Sequence, residues 1–297
     1  MSEYADEDVF PRVERTLELM HRWGYAPTVE TLAGELLGGP VSLSELRDAI
    51  TASGSFVLVD GFVCSRGKEP LVLASRVRER TNRLVNGTAK AIAEEFAHEL
   101  IRACPFVDCV ALSGSVASGG YVPSDDIDFD LFVHDGAKYL TYVVSLALGL
   151  VFSIRYANGG PLRKIICINV IWTRQQASPF VRNDADLAFE LLRCKPILGA
   201  AYFQQVIRSN DWIPRYFPQI GATLGPESPR PNPGLIGRCL GWIATYPRLL
   251  GLFERAGRGL SFVVYQVVHW LRRHDREAMN RLAFLQRAKY PYEVFQD

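Results

Sequence analysis

Two strand-like runs joined through a glycine corner dictate the centre of this chain. Val107 to Leu112 ends at Ser113-Gly114-Ser115, and a short Gly/Ser/Pro-rich connection leads to Ser124-Asp125-Asp126-Ile127-Asp128-Phe129-Asp130-Leu131-Phe132-Val133. A strand turns successive side chains to opposite faces. Asp126, Asp128 and Asp130 are therefore expected on one face, about 7 Å apart per two residues. Ile127, Phe129, Leu131 and Val133 fall on the other and read as core. Three carboxylates on one strand face repel each other and cost stability unless a cation neutralises them. The simplest such cation is a hard divalent ion with oxygen ligands, Mg²⁺ or Mn²⁺.

The same stretch suits phosphate chemistry. Glycine has no Cβ, so backbone N–H groups at Gly114-Ser115 can approach phosphate oxygens closely, and the Ser115 hydroxyl can donate one more bond. Two aspartates can bridge two metal ions about 3.5–4 Å apart, which clamp an attacking and a leaving oxygen. The plainer alternative is an acidic β-edge beside a solvated Ser/Gly loop.

Gly114-Ser115-Val116-Ala117 followed by Ser124-Asp125-Asp126-Ile127-Asp128-Phe129 resembles the DNA polymerase beta-like nucleotidyltransferase superfamily, in its small bacterial branch. A weaker likeness in strand and helix order runs from Ser75 to Ile220. The resemblance implies an α/β (α+β) fold, a mixed sheet with flanking helices. It implies transfer of a nucleoside monophosphate from a nucleoside triphosphate (ATP among them) to a hydroxyl or phosphate acceptor, with release of pyrophosphate. Asp126 and Asp128 take the place of the catalytic, metal-binding carboxylates, and Gly114 and Ser115 that of the phosphate-holding turn. A shifted alignment on Asp128 and Asp130 needs a longer spacer, and the first is preferred.

The sequence departs from that pattern at one point. The family usually has a third carboxylate on a neighbouring strand. The next strand-like run, Lys164 to Trp172, contains no acid, and Asn169 stands where the carboxylate is expected. An amide oxygen can bind a metal but brings no charge and is not a base. Asp130 substitutes, or the acceptor is activated otherwise, or turnover is weak or absent. Arg163 and Lys164, just before this strand, are candidate phosphate contacts, weighed against a surface pair.

At 297 residues and 48% hydrophobic content the chain can bury a real core across two or three domains. A net charge of +1 provides no global field toward nucleic acid or membrane. The six cysteines have no Cys-x-x-Cys spacing and the five histidines are scattered, which argues against zinc. With no secretory signal at the acidic N-terminus, a cytoplasmic location is expected. Tyr139 to Ile154 has no charge, but it is shorter than the ~20 residues of a membrane span. It lies between two strand-like runs and reads as the buried crossover helix of a βαβ unit; no membrane partner is expected.

Residues 1–74 read as a winged-helix-like module. Helices start near Asp6, after Thr28 and at Ser42 or Ser44, and a hairpin turns at Asp60-Gly61. Residues 1–80 hold 13 acids and 9 bases, so the basic footprint that DNA requires is missing. The module is expected to contact protein or to cover one side of the sheet. Residues 75–213 form the expected nucleotidyltransferase domain, with a long helix from Ser75 to Ala103 and helices over 183–194 and 199–209 separated by Lys195-Pro196. Residues 214–297 form a Pro/Gly-rich linker and a helical region whose Leu249, Leu252, Phe253, Phe262, Val263, Val267 and Leu271 would line a helix–helix core. From Arg230 onward there are eleven bases and five acids, which suits a negatively charged partner.

Three functions follow: a metal-dependent nucleotidyltransferase whose acceptor is a small molecule, RNA or protein; a nucleotide-binding or interaction protein that keeps the fold without turnover; and a winged-helix regulator.

Overall fold

The computed structural model describes residues 4, 7–156, 165–221 and 229–272. The chain begins with α1 (Val9–Arg22), α2 (Val29–Gly34), α3 (Leu43–Ala52) and a hairpin of β1 (Phe56–Val59) and β2 (Phe62–Ser65). It continues through α4 (Pro70–Ala103), β3 (Val107–Ser113), α5 (Gly114–Ser118), β4 (Ile127–Val133), α6 (Lys138–Tyr156), β5 (Ile166–Thr173) and α7 (Arg174–Ala177). Then come α8 (Ala185–Arg193), β6 (Lys195–Leu198), α9 (Ala200–Arg208), α10 (Ile213–Tyr216), a 3-10 turn (Pro218–Gly221), α11 (Leu235–Ala244) and α12 (Pro247–Arg272). The protein is mixed α/β, with a mixed sheet and flanking helices.

Local chemistry sets several boundaries. The Thr28 hydroxyl accepts from the Thr31 N–H at 3.2 Å, and Ser42 accepts from the Glu45 N–H at 3.2 Å. Each satisfies a donor that the helix start would leave orphaned. The hairpin turns on Asp60 (φ 51°) and Gly61 (φ 84°), the two positive φ values of a two-residue turn. Helix α4 starts at Pro70 rather than Ser75, since proline at the first helical position lacks only an N–H that has no partner there.

The four-stranded sheet has the order β5-β4-β3-β6. Strand β4 is antiparallel to β3 and parallel to β5, so α6 is the expected crossover. It is buried on one side only: Leu150, Val151 and Ile154 are exposed. Among the described residues α6 alone is long and apolar enough to cross a bilayer, and only 33% of its apolar stretch is buried. Its place between adjacent parallel strands makes it a layer of the sheet. Strand β6 was not expected. Lys195-Pro196 reads as a break between helices, yet it pairs antiparallel with β3 at the sheet edge, where a missing N–H is tolerated.

The alternation in β4 separates two cores. Ile127, Phe129, Leu131 and Val133 are fully buried against Phe96 and Leu100 of α4 and Phe152 of α6, with the Phe96 and Phe129 rings 4.8 Å apart. The carboxylate face continues into Phe132, Val170 and Trp172, covered by Leu17, Met20 and Leu32 from α1 and α2 and by Phe189, Phe203 and Phe217. One core thus runs unbroken from the N-terminal helices to the sheet. Arg193 lies over the Tyr25 ring at 4.6 Å, and Arg22 pairs with Asp186 at 3.1 Å. The N-terminal helices cover one side of the sheet.

The C-terminal helices depart from expectation. Leu252, Phe253, Phe262, Val263 and Val267 are 61%, 40%, 52%, 56% and 48% exposed, so among the described residues they line no helix–helix core; the Leu271 side chain lies outside the described residues. Helix α12 docks on α6 through another face. Gly257 meets the Tyr139–Leu140 backbone, where a Cβ would approach to 3.2 Å. Glu254 accepts the Tyr139 and Leu140 N–H groups at 2.9 Å each, capping α6. Periodicity reveals an apolar stripe but not which side of a helix meets a neighbour.

Candidate functional site

Strand β3 ends at Ser113, and the chain turns at Gly114 with φ +61°. Ser113 lies opposite Asp128 in the β3–β4 register, so Asp128 faces the turn. A Cβ on Gly114 would lie 2.1 Å from Asp128 Oδ2. Glycine is therefore required twice, for its backbone angle and for the room it leaves the carboxylate. Gly114 is exposed and Asp126 and Asp128 are half-buried, so the corner opens to solvent. Asp126 stands just before β4, and its neighbour Asp125 turns away to pair with Arg78.

Ser115 supplies the second feature. Its Oγ is buried and has no hydrogen-bond partner among the described residues. An orphaned hydroxyl costs about 1–3 kcal/mol unless something outside the chain satisfies it.

Asp130 occupies a different position. It is fully buried and accepts from Ser113 Oγ at 3.0 Å and from Cys194 Sγ at 3.1 Å. Burial pushes its carboxyl well above the ordinary range, and the nearby Glu190 and Asp128 charges add to that. The Cys194 thiol is pushed well up as well, by burial first and then by Asp130. Asp130, Glu190 and Cys194 bring ligand atoms within 4.8 Å of one another. A thiol and two carboxyls differ in kind from the all-oxygen set that Mg²⁺ takes.

Asn169 is half-buried and tied to the same network. Its Nδ2 donates to Ser113 Oγ at 3.1 Å, and the Cys167 thiol donates to its Oδ1 at 3.6 Å. It sits at an irregularity in the β4–β5 ladder, where Phe129 pairs with Ile168 but Asp130 with Val170. Asn169 is thereby the extra residue, beside Asp130 and on the sheet that bears Asp128. The structure thus brings Gly114, Ser115, Asp126, Asp128, Asp130 and Asn169 to one end of the sheet. Arg163 and Lys164 lie outside the described residues.

Sequence reasoning missed Ser113 and Glu190. Glu190 had a signal: Leu187, Glu190, Leu191 and Cys194 fall at helical spacing, so an acid stands within the inward stripe of α8. Ser113 had none, since its role depends on the register of three strands. A shallow depression lined by Arg174, Ser178, Tyr202, Gln205 and Val206 lies at the opposite end of the sheet and shares no residue with the glycine corner.

No family model, curated protein or solved structure matches the chain. The functional reading rests on the residues themselves.

Proposed function

We propose that the protein is a Mg²⁺- or Mn²⁺-dependent nucleotidyltransferase of the polymerase beta-like kind, using a nucleoside triphosphate and a hydroxyl or phosphate acceptor. The observation that carries this reading is the Asp128 carboxylate lying over the Gly114 turn, with the orphaned Ser115 hydroxyl beside it. Hard carboxylate oxygens at a solvent-open corner suit a hard divalent ion. Asp126 and Asp128 would hold it, and when bound it supplies neutralising charge to the triphosphate and to the attacking and leaving oxygens.

The chain's own residues do the positioning. The backbone N–H groups of the Gly114–Ser115 turn and the Ser115 hydroxyl would donate to phosphate oxygens. The acceptor oxygen bonds to the α-phosphorus as the bond to pyrophosphate breaks, and the acceptor proton leaves to solvent. Ser113 holds the Asn169 amide beside the carboxylates. The network of Asp130, Ser113 and Cys194 fixes the floor, so the upper carboxylates need little reorganisation.

The test is transfer of label from ATP, CTP, GTP or UTP to acceptors in a cell extract, with Mg²⁺ or Mn²⁺. Asp126→Ala with Asp128→Ala should cut transfer by about 1,000-fold or more. Normal transfer by the double variant would refute the assignment. Asn169 favours a second reading, a nucleotide-binding protein without turnover. That reading predicts thermal stabilisation by Mg²⁺-nucleotide and no label transfer.

A further inference from the structure

Helix α4 buries Ala89, Ala93, Phe96, Ala97 and Leu100 against the sheet. Nearer its start the same side of the helix turns polar. Arg78, Asn82 and Asn86 stand four residues apart and share a face. Asn82 is only 8% exposed. Its Oδ1 is buried without a hydrogen-bond partner among the described residues, and so is Oδ1 of the half-buried Asn86. Vacant buried acceptors lower stability, and leucine at either position would remove the loss. The pair therefore calls for a donor from outside the chain.

The two amides stand beside the glycine corner. Helix α5 climbs about 1.5 Å per residue, which sets Gly119 roughly 7 Å along it from Gly114. A Cβ at Gly119 would lie 4.0 Å from Asn82 Nδ2, and the vacant Oδ1 is farther off. Arg78, one turn before Asn82, pairs with Asp125, the neighbour of Asp126. The polar face of α4 thus borders the connection that leads from the corner to the carboxylates.

We propose that Asn82 and Asn86 receive the nucleobase and select one whose amine lies farthest from the sugar, adenine or cytosine. The inference rests on the nucleotidyltransferase reading above. With phosphates at Gly114 and Ser115, an amide on the order of 10 Å away is within reach of the base. The vacant atoms are two oxygens, which accept and do not donate. A phosphate would set oxygen against oxygen. A cationic ligand would meet the Arg78 charge on the same face. An exocyclic amine is uncharged and offers two hydrogens, one to each amide. Asparagine pairs with adenine through the same contact, its oxygen taking an amine hydrogen. Hypoxanthine, guanine and uracil carry a carbonyl in place of that amine, which would leave both amides unpaired.

Equilibrium binding of nucleotides to the full chain, with Mg²⁺ and no acceptor, tests the assignment. The tighter of ATP and CTP should bind about tenfold or more better than its carbonyl counterpart, ITP or UTP. Asn82→Leu should erase that difference by weakening the amine-bearing nucleotide, while the melting temperature of the free protein holds or rises. Asn86→Leu, at a half-buried position that accepts leucine more easily, carries the same expectation and serves if Asn82→Leu does not fold. Equal binding of all four nucleotides by the wild type, or a preference that the variants keep, would overturn the assignment, leave the amides to water and leave the nucleotidyltransferase reading standing. No binding of any nucleotide would overturn that reading and this one together.

Discussion

The sheet carries acidic side chains at both of its ends and meets them in different ways. At the far end, Asp108 at the start of β3 is nearly buried and is gripped by Arg174, whose Nε and Nη2 each donate at 2.7 Å, with His134 Nε2 at 3.3 Å. Burial alone would raise the Asp108 carboxyl, but the hydrogen bonds from Arg174 and His134 outweigh it and hold the group below its ordinary value. At the glycine corner, acids crowd one another. Asp130 sits among Glu190 and Asp128, its carboxyl pushed up, and the Ser115 hydroxyl is buried without a partner. An acid matched by the chain's own arginine has its charge committed to stability. A buried carboxyl pushed up among other acids, beside an unsatisfied hydroxyl, lowers stability, a cost that on the function proposed above is kept for a ligand.

The largest expected effect separates space from backbone angle at the corner. Gly114→Ala forces a Cβ into the Asp128 carboxylate and should reduce label transfer by about 1,000-fold, roughly 4 kcal/mol. Gly119→Ala is the internal comparison. Gly119 has a similar φ of +79°, but the nearest atom to its Cβ position is Asn82 Nδ2 at 4.0 Å. It should cost about 1 kcal/mol of stability and keep transfer. Equal loss in both variants would mean that the corner matters only as a turn.

How much of this was legible beforehand follows the range of each interaction. The β4 alternation, the Thr28 and Ser42 caps and the Asp60-Gly61 turn are local, and the sequence displays them directly. The facing of Asp128 toward Gly114 was readable because both flank one short connection. The Ser113–Asn169–Asp130 network was not, because it depends on a ladder irregularity between β4 and β5 that no spacing records. Strand β6 is four residues long and contains a proline, so only its neighbour β3 makes it a strand. The stripe of α12 was visible in the sequence, but the side that meets α6 was not.

At the far end, Arg174→Ala should destabilise the protein by about 2–3 kcal/mol, because it strands the Asp108 carboxylate, and should leave label transfer unchanged. The pH dependence has a definite sign. A carboxyl held below its unfolded value contributes stability that is present above that value and lost as pH falls through the folded one. The deficit of the variant is therefore largest at neutral pH and shrinks on acidification, when a protonated Asp108 no longer needs its partner. Urea unfolding at neutral and acid pH measures it. Lost transfer without lost stability would place the working end of the sheet at Arg174 instead.

Ser115→Ala gives the smallest effect and the finest division between the two ends. Deleting an unpartnered buried hydroxyl should leave the melting temperature unchanged or slightly higher, the reverse of what a satisfied side chain such as Arg174 shows. If the hydroxyl donates to the triphosphate, transfer should fall by about tenfold, some 1.4 kcal/mol. The division of that loss locates the bond. A raised KM for the nucleotide with kcat kept means that Ser115 holds the ground-state phosphates, and a lowered kcat means that it meets charge developing on the leaving group. A gain in stability with both constants unchanged would make Ser115 an ordinary packing defect, leaving Asp128 and Gly114 alone to distinguish this end from the other.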